Sequence, residues 1–194
     1  MRSLESRRNR AIRAWSELQA NTRPLVYVGA ASCGLAAGAA EVLEAIESHL
    51  AEKKHAADIL KVGCIGLCYL EPLMDVQMPG RPRISYSNVT PVLARGLLDS
   101  FFDGEEVPKR RLVGHFGQNG FQGAPRFFDH PMLARQVRLV LRNCGIIDPD
   151  NLDHYLARDG YKALEKCLSL PWKDVLEIVK SSGLRGRGGA GFPT

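Results

Sequence analysis

Apolar positions in the first half of the chain fall into alternating strand-like and helix-like runs. Residues 24–28 (Pro-Leu-Val-Tyr-Val) form a short β-prone run, and the small residues from Gly29 to Gly34 turn the chain after it. Over 35–53 the period becomes helical, with Val42, Leu43, Ile46 and Leu50 along one face. Residues 57–62 read as a second strand. Residues 73–78 and 83–86, joined by Pro79-Gly80-Arg81-Pro82, read as a hairpin with a turn longer than the tight two-residue kind. Residues 90–102 close the unit as a helix with Val92, Leu93, Leu97, Leu98 and Phe101 as its apolar positions. The order strand, helix, strand, hairpin, helix predicts an α/β unit, a mixed sheet with helices packed on it.

Around this unit the pattern changes. Residues 1–23 predict an amphipathic helix, with Leu4, Ile12, Trp15 and Leu18 on one face and Arg2, Arg7, Arg8, Arg10 and Arg13 among the rest. A surface helix is favoured over an Arg-rich transit peptide because Glu5 and Glu17 interrupt it. Residues 103–128 carry Lys109-Arg110-Arg111 and glycines at 114, 117, 120 and 123 among His115, Phe116 and Phe121, which predicts an irregular linker lying against a surface. From 129 onward the chain reads as mainly helical. Met132, Leu133, Val137, Val140 and Leu141 suggest a helix ending at Cys144-Gly145, and shorter helices follow over 152–157, 161–168 and 172–180.

Composition adds bounds. A length of 194 residues accommodates one domain of usual size plus a smaller unit. The net charge of +5 and pI of about 9.1 are too mild, and too interspersed with acids, to predict nucleic-acid binding. No apolar run approaches the length of a membrane span and no secretory leader is visible, so the expected location is cytoplasmic, without direct membrane insertion. Five cysteines at irregular spacing do not form a secreted disulfide framework, and reduced thiols are expected.

The chemistry concentrates at Cys33, Cys64 and Cys68. Cys64 and Cys68 flank Ile65-Gly66-Leu67, and the glycine lets the backbone fold so that both sulfurs face one point. Cys33, at a strand-to-helix junction where a thiolate is favoured, lies beyond a strand end and can meet them. Soft thiolates suit an iron–sulfur cluster or zinc; the alternative is buried cysteines that merely pack. His115 and His130 lack partners at ligand spacing, and Cys144 and Cys167 read as core or surface thiols. The terminal run from Ser181 to Thr194 holds five glycines and two arginines, which fits a loop wrapping phosphate or a flexible end.

Two resemblances sharpen these alternatives. The segment 24–102, with Cys64 and Cys68 as a C-x3-C pair and the run Cys33-Gly34-Leu35-Ala36-Ala37-Gly38-Ala39, resembles the thioredoxin-like [2Fe–2S] ferredoxin domain of respiratory complex I, NAD-linked hydrogenases and formate dehydrogenases. That family places a further cysteine five positions before the one matched by Cys33, where this chain has Val28, so Ser32 or solvent would complete the ligand set. The segment from about 126 to the end resembles the NADH-oxidising, FMN-carrying subunit of complex I and its soluble relatives. Its carriers are Leu141-Arg142-Asn143, Ile147-Asp148-Pro149, Gly160-Tyr161-Lys162-Ala163-Leu164 and Gly183-Leu184-Arg185-Gly186-Arg187-Gly188-Gly189-Ala190-Gly191-Phe192-Pro193-Thr194.

By resemblance, Gly186, Arg187, Gly188, Gly189, Ala190, Gly191 and Phe192 contact FMN and NAD(H) in a full-length context. The implied domain order is an N-terminal helix (1–23), a ferredoxin-type domain (24–102), a linker (103–128) and the start of a truncated NADH/FMN-binding domain (129–194). No catalytic residue and no [4Fe–4S] motif is encoded, so the chain is expected to be too short to be active alone. The expected function is the electron-transfer part of an NADH-oxidising flavin and iron–sulfur oxidoreductase, partnered by the other subunits of such a complex. A cluster-free docking module and a zinc module on the three cysteines are the alternatives.

Overall fold

The computed structural model describes residues 2–104 and 106–193, with side chains from Leu4 onward. β1 (Leu25–Gly29) runs parallel to β2 (Asp58–Val62), with Leu25 opposite Asp58 and Gly29 opposite Val62. On its other side β1 pairs antiparallel with β3 (Met74–Gln77), which continues antiparallel into β4 (Ile84–Tyr86) and β5 (Leu112–His115). The sheet order is therefore β2-β1-β3-β4-β5. Between β1 and β2 the chain forms α2 (Ser32–Ala36) and α3 (Ala39–Lys53), and α4 (Pro91–Asp103) follows β4. A parallel crossover followed by a hairpin and a closing helix is the thioredoxin-like arrangement, so the α/β expectation holds.

β1 is buried on both faces, which is why it reads as a continuous apolar run and not as an alternation. Val26 and Val28 point into the main core with Val42 and Ile46 of α3 and Leu97, Leu98 and Phe101 of α4. Leu25 and Tyr27 point the other way, to Leu60, Val62 and the helix α1 (Arg2–Gln19) through Leu18. α4 starts where its sequence says it should: Thr90 Oγ accepts the Leu93 N–H at 3.3 Å and Pro91 takes the first helical position, where its missing N–H costs nothing.

Three expectations need correction. The glycine-rich connection over 103–128 is not wholly irregular, because Leu112–His115 forms the fifth strand. Gly114 is the reason a glycine suits this strand: a β-carbon there would lie 2.7 Å from the Pro125 carbonyl and 3.0 Å from Phe127 Cα, so its absence lets the chain fold back over the sheet. The helix expected from Met132 to Leu141 is replaced by a series of turns, in which Val137 and Val140 are 84% and 93% exposed and only Leu133 enters a core. Hydrogen bonds from Arg138 hold this stretch non-helical, as it donates to the carbonyls of Ile65 and Leu141 at 3.2 Å each.

The third correction concerns the N-terminal helix, which is present but buries Ala11 and Arg8, while Ile12 stays exposed. Arg8 reaches across to the Glu165 carboxylate at 2.8 Å and the Gly160 carbonyl at 3.0 Å, and Trp15 meets the His154 ring edge-on at 5.0 Å. These contacts lie on α5 (Leu152–Ala157), on α6 (Lys162–Leu168) and on the turn between them. α6 leads into α7 (Trp172–Ser181), whose apolar residues Trp172, Leu176 and Ile178 remain exposed. The short helices expected over 152–180 thus form within a residue or two of the predicted bounds.

Because β5 pairs with β4, cleavage by trypsin at the exposed Lys109-Arg110-Arg111 run should leave both pieces associated in size-exclusion chromatography under native conditions. Separation of the pieces would mean that the pairing does not hold the halves together.

Candidate metal centre

Two loops converge beyond the ends of β1 and β2. β1 stops at Gly29 and α2 starts almost immediately, placing Cys33 second in that helix. The approach is so close that a β-carbon on Gly34 would sit 2.0 Å from the Gly29 carbonyl oxygen, so only glycine fits there. β2 ends at Val62 and delivers Gly63 and Cys64. The loop then reverses at Gly66, whose φ of +105° a residue with a side chain rarely adopts, and Cys68 opens a short 3-10 turn. Ile65 and Leu67 pin the loop from beneath, packing with Leu73, Phe127 and Leu133 in a second core.

The thiols of Cys33, Cys64 and Cys68 all lie within 4.8 Å of one another, with Cys64 and Cys68 at 3.5 Å. The Gly66 N–H donates to Cys64 Sγ at 3.2 Å, the kind of backbone contact that supports a thiolate ligand. Among the described residues no other set of three His, Cys, Asp or Glu side chains converges in this way. His115 is buried with Nδ1 accepting the Gly117 N–H at 3.0 Å, and His130 pairs with the Tyr69 hydroxyl at 3.0 Å. Cys144 and Cys167 are free and outside the trio.

Burial raises the Cys33 thiol above its ordinary value and pushes Cys64 up to about 12, where the neighbouring sulfurs add to the effect. The expected thiolate at the start of α2 is therefore not what the site stabilises without a cation. A five-residue helix offers little dipole, and desolvation outweighs it. A metal reverses the balance, since coordination deprotonates thiols outright.

Residues not foreseen in the sequence surround the trio. Glu71 is buried beside it, with Oε1 3.9 Å from Cys33 Sγ and Oε2 accepting the Leu73 N–H at 2.7 Å; burial raises this carboxyl above the usual range. An acid set between Leu70 and Pro72-Leu73, just after Cys68, was the available signal. Behind Glu71 the buried pair Asp75 and Arg83 meets at 2.7 Å, with the guanidinium 3.7 Å from the Tyr27 ring centre. Gly145 and Arg138 come from the turn-rich stretch. The φ of +75° at Gly145 and the 2.7 Å its β-carbon would leave to Ile65 show how closely the C-terminal half covers the cysteine loop.

The glycine–arginine loop is exposed and closes on itself, with the Gly186 N–H on the Phe192 carbonyl and Arg185 Nε on the Gly191 carbonyl, each at 2.7 Å. Positive φ at Gly183, Gly189 and Gly191 makes these reversals possible.

Fold and site together define an α/β protein of the thioredoxin-like kind with three thiols, suited to holding a metal ion, gathered at the ends of β1 and β2. Sequence relatives place it more narrowly. The chain is 55% identical over 60 residues to the HndC subunit of the NADP-reducing hydrogenase of Solidesulfovibrio fructosivorans, a match covering 31% of this chain and 12% of that protein. It is 69% identical over 35 residues to the F subunit of NADH-quinone oxidoreductase from Mycobacterium tuberculosis strain H37Rv, covering 18% of this chain and 8% of that protein. The HndB subunit of the S. fructosivorans NADP-reducing hydrogenase is 27% identical over 89 residues, 45% of this chain and 71% of that protein. A thioredoxin-like [2Fe–2S] ferredoxin from Aquifex aeolicus superposes on 51% of this chain and 97% of its own length, with a TM-score of 0.43 and 17% identity. No family model matches the chain. The chain thus joins a thioredoxin-like fold to a segment similar to the N-terminal parts of HndC and of the NADH-quinone oxidoreductase F subunit, and its matches to those two span only about a tenth of their lengths.

Two measurements check this geometry. Because a raised pKa leaves less of the nucleophilic thiolate, metal-free Cys33 and Cys64 should be alkylated by iodoacetamide at pH 8 more slowly than a free cysteine peptide, and faster as pH climbs toward 11. Gly145→Ala should lower stability by about 1–2 kcal/mol from the left-handed backbone alone, read by chemical denaturation, and should speed Cys64 alkylation as Ile65 is displaced.

Proposed function

We propose that this chain is the electron-transfer part of an NADH-oxidising flavin and iron–sulfur oxidoreductase, and that Cys33, Cys64 and Cys68 hold a [2Fe–2S] cluster in it. The observation that carries this reading is the convergence of three thiols from two separate loops on one point. A tetrahedral metal with thiolates at about 2.3 Å sets them about 3.8 Å apart. The 3.5 Å spacing of Cys64 and Cys68 suits the pair on one iron, and Cys33 supplies a thiolate for the other. Such a cluster, when bound, supplies a one-electron relay. The chain's own contribution is to hold the thiolates by strand ends, anchor their loop with Ile65 and Leu67, and set the polarity around the sulfurs.

On the same reading Gly186, Arg187, Gly188, Gly189, Ala190, Gly191 and Phe192 contact FMN and NADH when the flavin fold is complete. The exposed amides of Gly188, Gly189 and Ala190, turned by positive-φ Gly189 and flanked by Arg185 and Arg187, are chemically suited to phosphate. The exposed apolar residues of α7 support a further partner surface, in keeping with relatives that are named as subunits. No helix among the described residues is long and apolar enough to cross a membrane.

Anaerobic reconstitution with iron and sulfide should give about two of each per chain, the stoichiometry of a binuclear cluster, with visible absorption that bleaches on reduction. Cys64→Ala should abolish it. Uptake of zinc with no sulfide would move the site to a zinc module, and a chain that takes up neither would be left with the docking role.

A further inference from the structure

We propose that Glu71 is the fourth protein ligand of this metal centre, sharing one iron with Cys33. The inference rests on the cluster reading above and concerns only how its ligand set is completed.

The thiols supply three ligands where a binuclear cluster needs four. Spacing along the sequence points to Val28 as the vacant position, but the structure removes it. Val28 is fully buried and faces the main core with Ile46 and Leu98, on the side of the sheet that α3 and α4 cover. Ser32 is exposed at the start of α2. The residue of β1 that faces the centre is Gly29, which has no side chain to offer.

The space a side chain would take at Gly29 is filled by Glu71. A β-carbon built there would lie 2.6 Å from Oε2 and 2.9 Å from Oε1 of that carboxylate. The same carboxylate sits 3.3 Å from where a β-carbon on Gly34 would be, so it occupies the notch between the end of β1 and the start of α2. In a strand-end site that lacks a cysteine, the missing side chain's volume is thus taken by an oxygen donor from the next loop.

The two oxygens are used differently. Oε2 accepts the Leu73 N–H at 2.7 Å, which fixes the carboxylate plane, while Oε1 faces Cys33 Sγ, 3.9 Å away. Sulfur and oxygen on one tetrahedral metal, at about 2.3 and 2.1 Å, stand about 3.6 Å apart, so a shift of a few tenths of an ångström brings both onto one ion. Glu71 lies outside the group in which every donor is within 4.8 Å of every other, so of the three thiols it is Cys33 that its oxygen approaches. Iron accepts carboxylate together with softer donors, so the chemistry is compatible.

The test uses the full chain reconstituted anaerobically with ⁵⁷Fe and sulfide. Wild type should give two Mössbauer doublets of equal area, the one from the iron with an oxygen ligand having the larger isomer shift. Glu71→Gln preserves size and the acceptor for the Leu73 N–H, so it should fold with unchanged circular dichroism, alter that doublet alone, and release iron to a chelator about ten to a hundred times faster. Gly29→Cys combined with Glu71→Ala, which clears the notch, should convert the centre to two equivalent all-thiolate irons with slow release. An iron-loaded wild type whose spectrum and release rate are unmoved by Glu71→Gln overturns Glu71 as ligand and leaves the cluster in place. A wild type that takes up no iron at all overturns the cluster reading and the ligand with it.

Discussion

The approach of Gly34 to the carbonyl of Gly29 is the contact on which the rest of the centre depends. With 2.0 Å available where a β-carbon would stand, α2 docks on the end of β1 only because that carbon is missing. This closeness hangs Cys33 over the loop leaving β2, since β1 and β2 are parallel neighbours and end level, Gly29 opposite Val62. Parallel pairing is thus the means by which two sequence-distant turns come to share one space, as ligand-binding crevices beyond the carboxyl ends of strands generally do.

The helices and strands of the ferredoxin-like unit were readable because each is a local pattern with local punctuation. Thr90-Pro91 marks the start of α4, and the apolar run of β1 announces burial on both faces. Cys33, Cys64 and Cys68 were readable as a set because residue type and spacing carry coordination chemistry. Val28 was misplaced because counting along the chain cannot tell which face of β1 a residue occupies, whereas the alternation of Val26 and Val28 against Leu25 and Tyr27 decides it. β5 was missed because its glycine looks like a breaker until Pro125 and Phe127 are laid over it. The turns after Met132 were missed because the apolar spacing imitates a helix, while the bonds of Arg138 that override it reach some seventy residues back.

The two halves are less separable than a chain of modules would be. Phe127 and Leu133 complete the small core beneath the cysteine loop, Gly145 lies against Ile65, and Arg138 holds the Ile65 carbonyl. The stretch that follows β5 is therefore part of the wall of the thiol site. Movement in that stretch reaches the cysteine loop through one isoleucine, because well-packed interiors transmit displacement. Behind the trio, the buried Asp75 and Arg83 pair places a fixed dipole under Glu71, so the polarity of the site is set from inside the sheet and not from solvent.

The N-terminal helix has a history that its final position conceals. Its guanidinium anchor, Arg8, binds Glu165, 157 positions further along the chain. At about 5–20 residues per second of synthesis, roughly 8–30 s pass between the appearance of α1 and that of its docking partner. During that interval the helix can pack only by its C-terminal end, through Leu18 on β1 and β2, and its many arginines keep it soluble and apart from other nascent chains. The strip that later becomes interior is built around an arginine and an alanine, not around large apolar groups, so little adhesive surface is shown during the wait. Docking of α1 is then the step that ties an early-made part of the chain to a later one, which makes it a mark that synthesis has passed the α5–α6 turn.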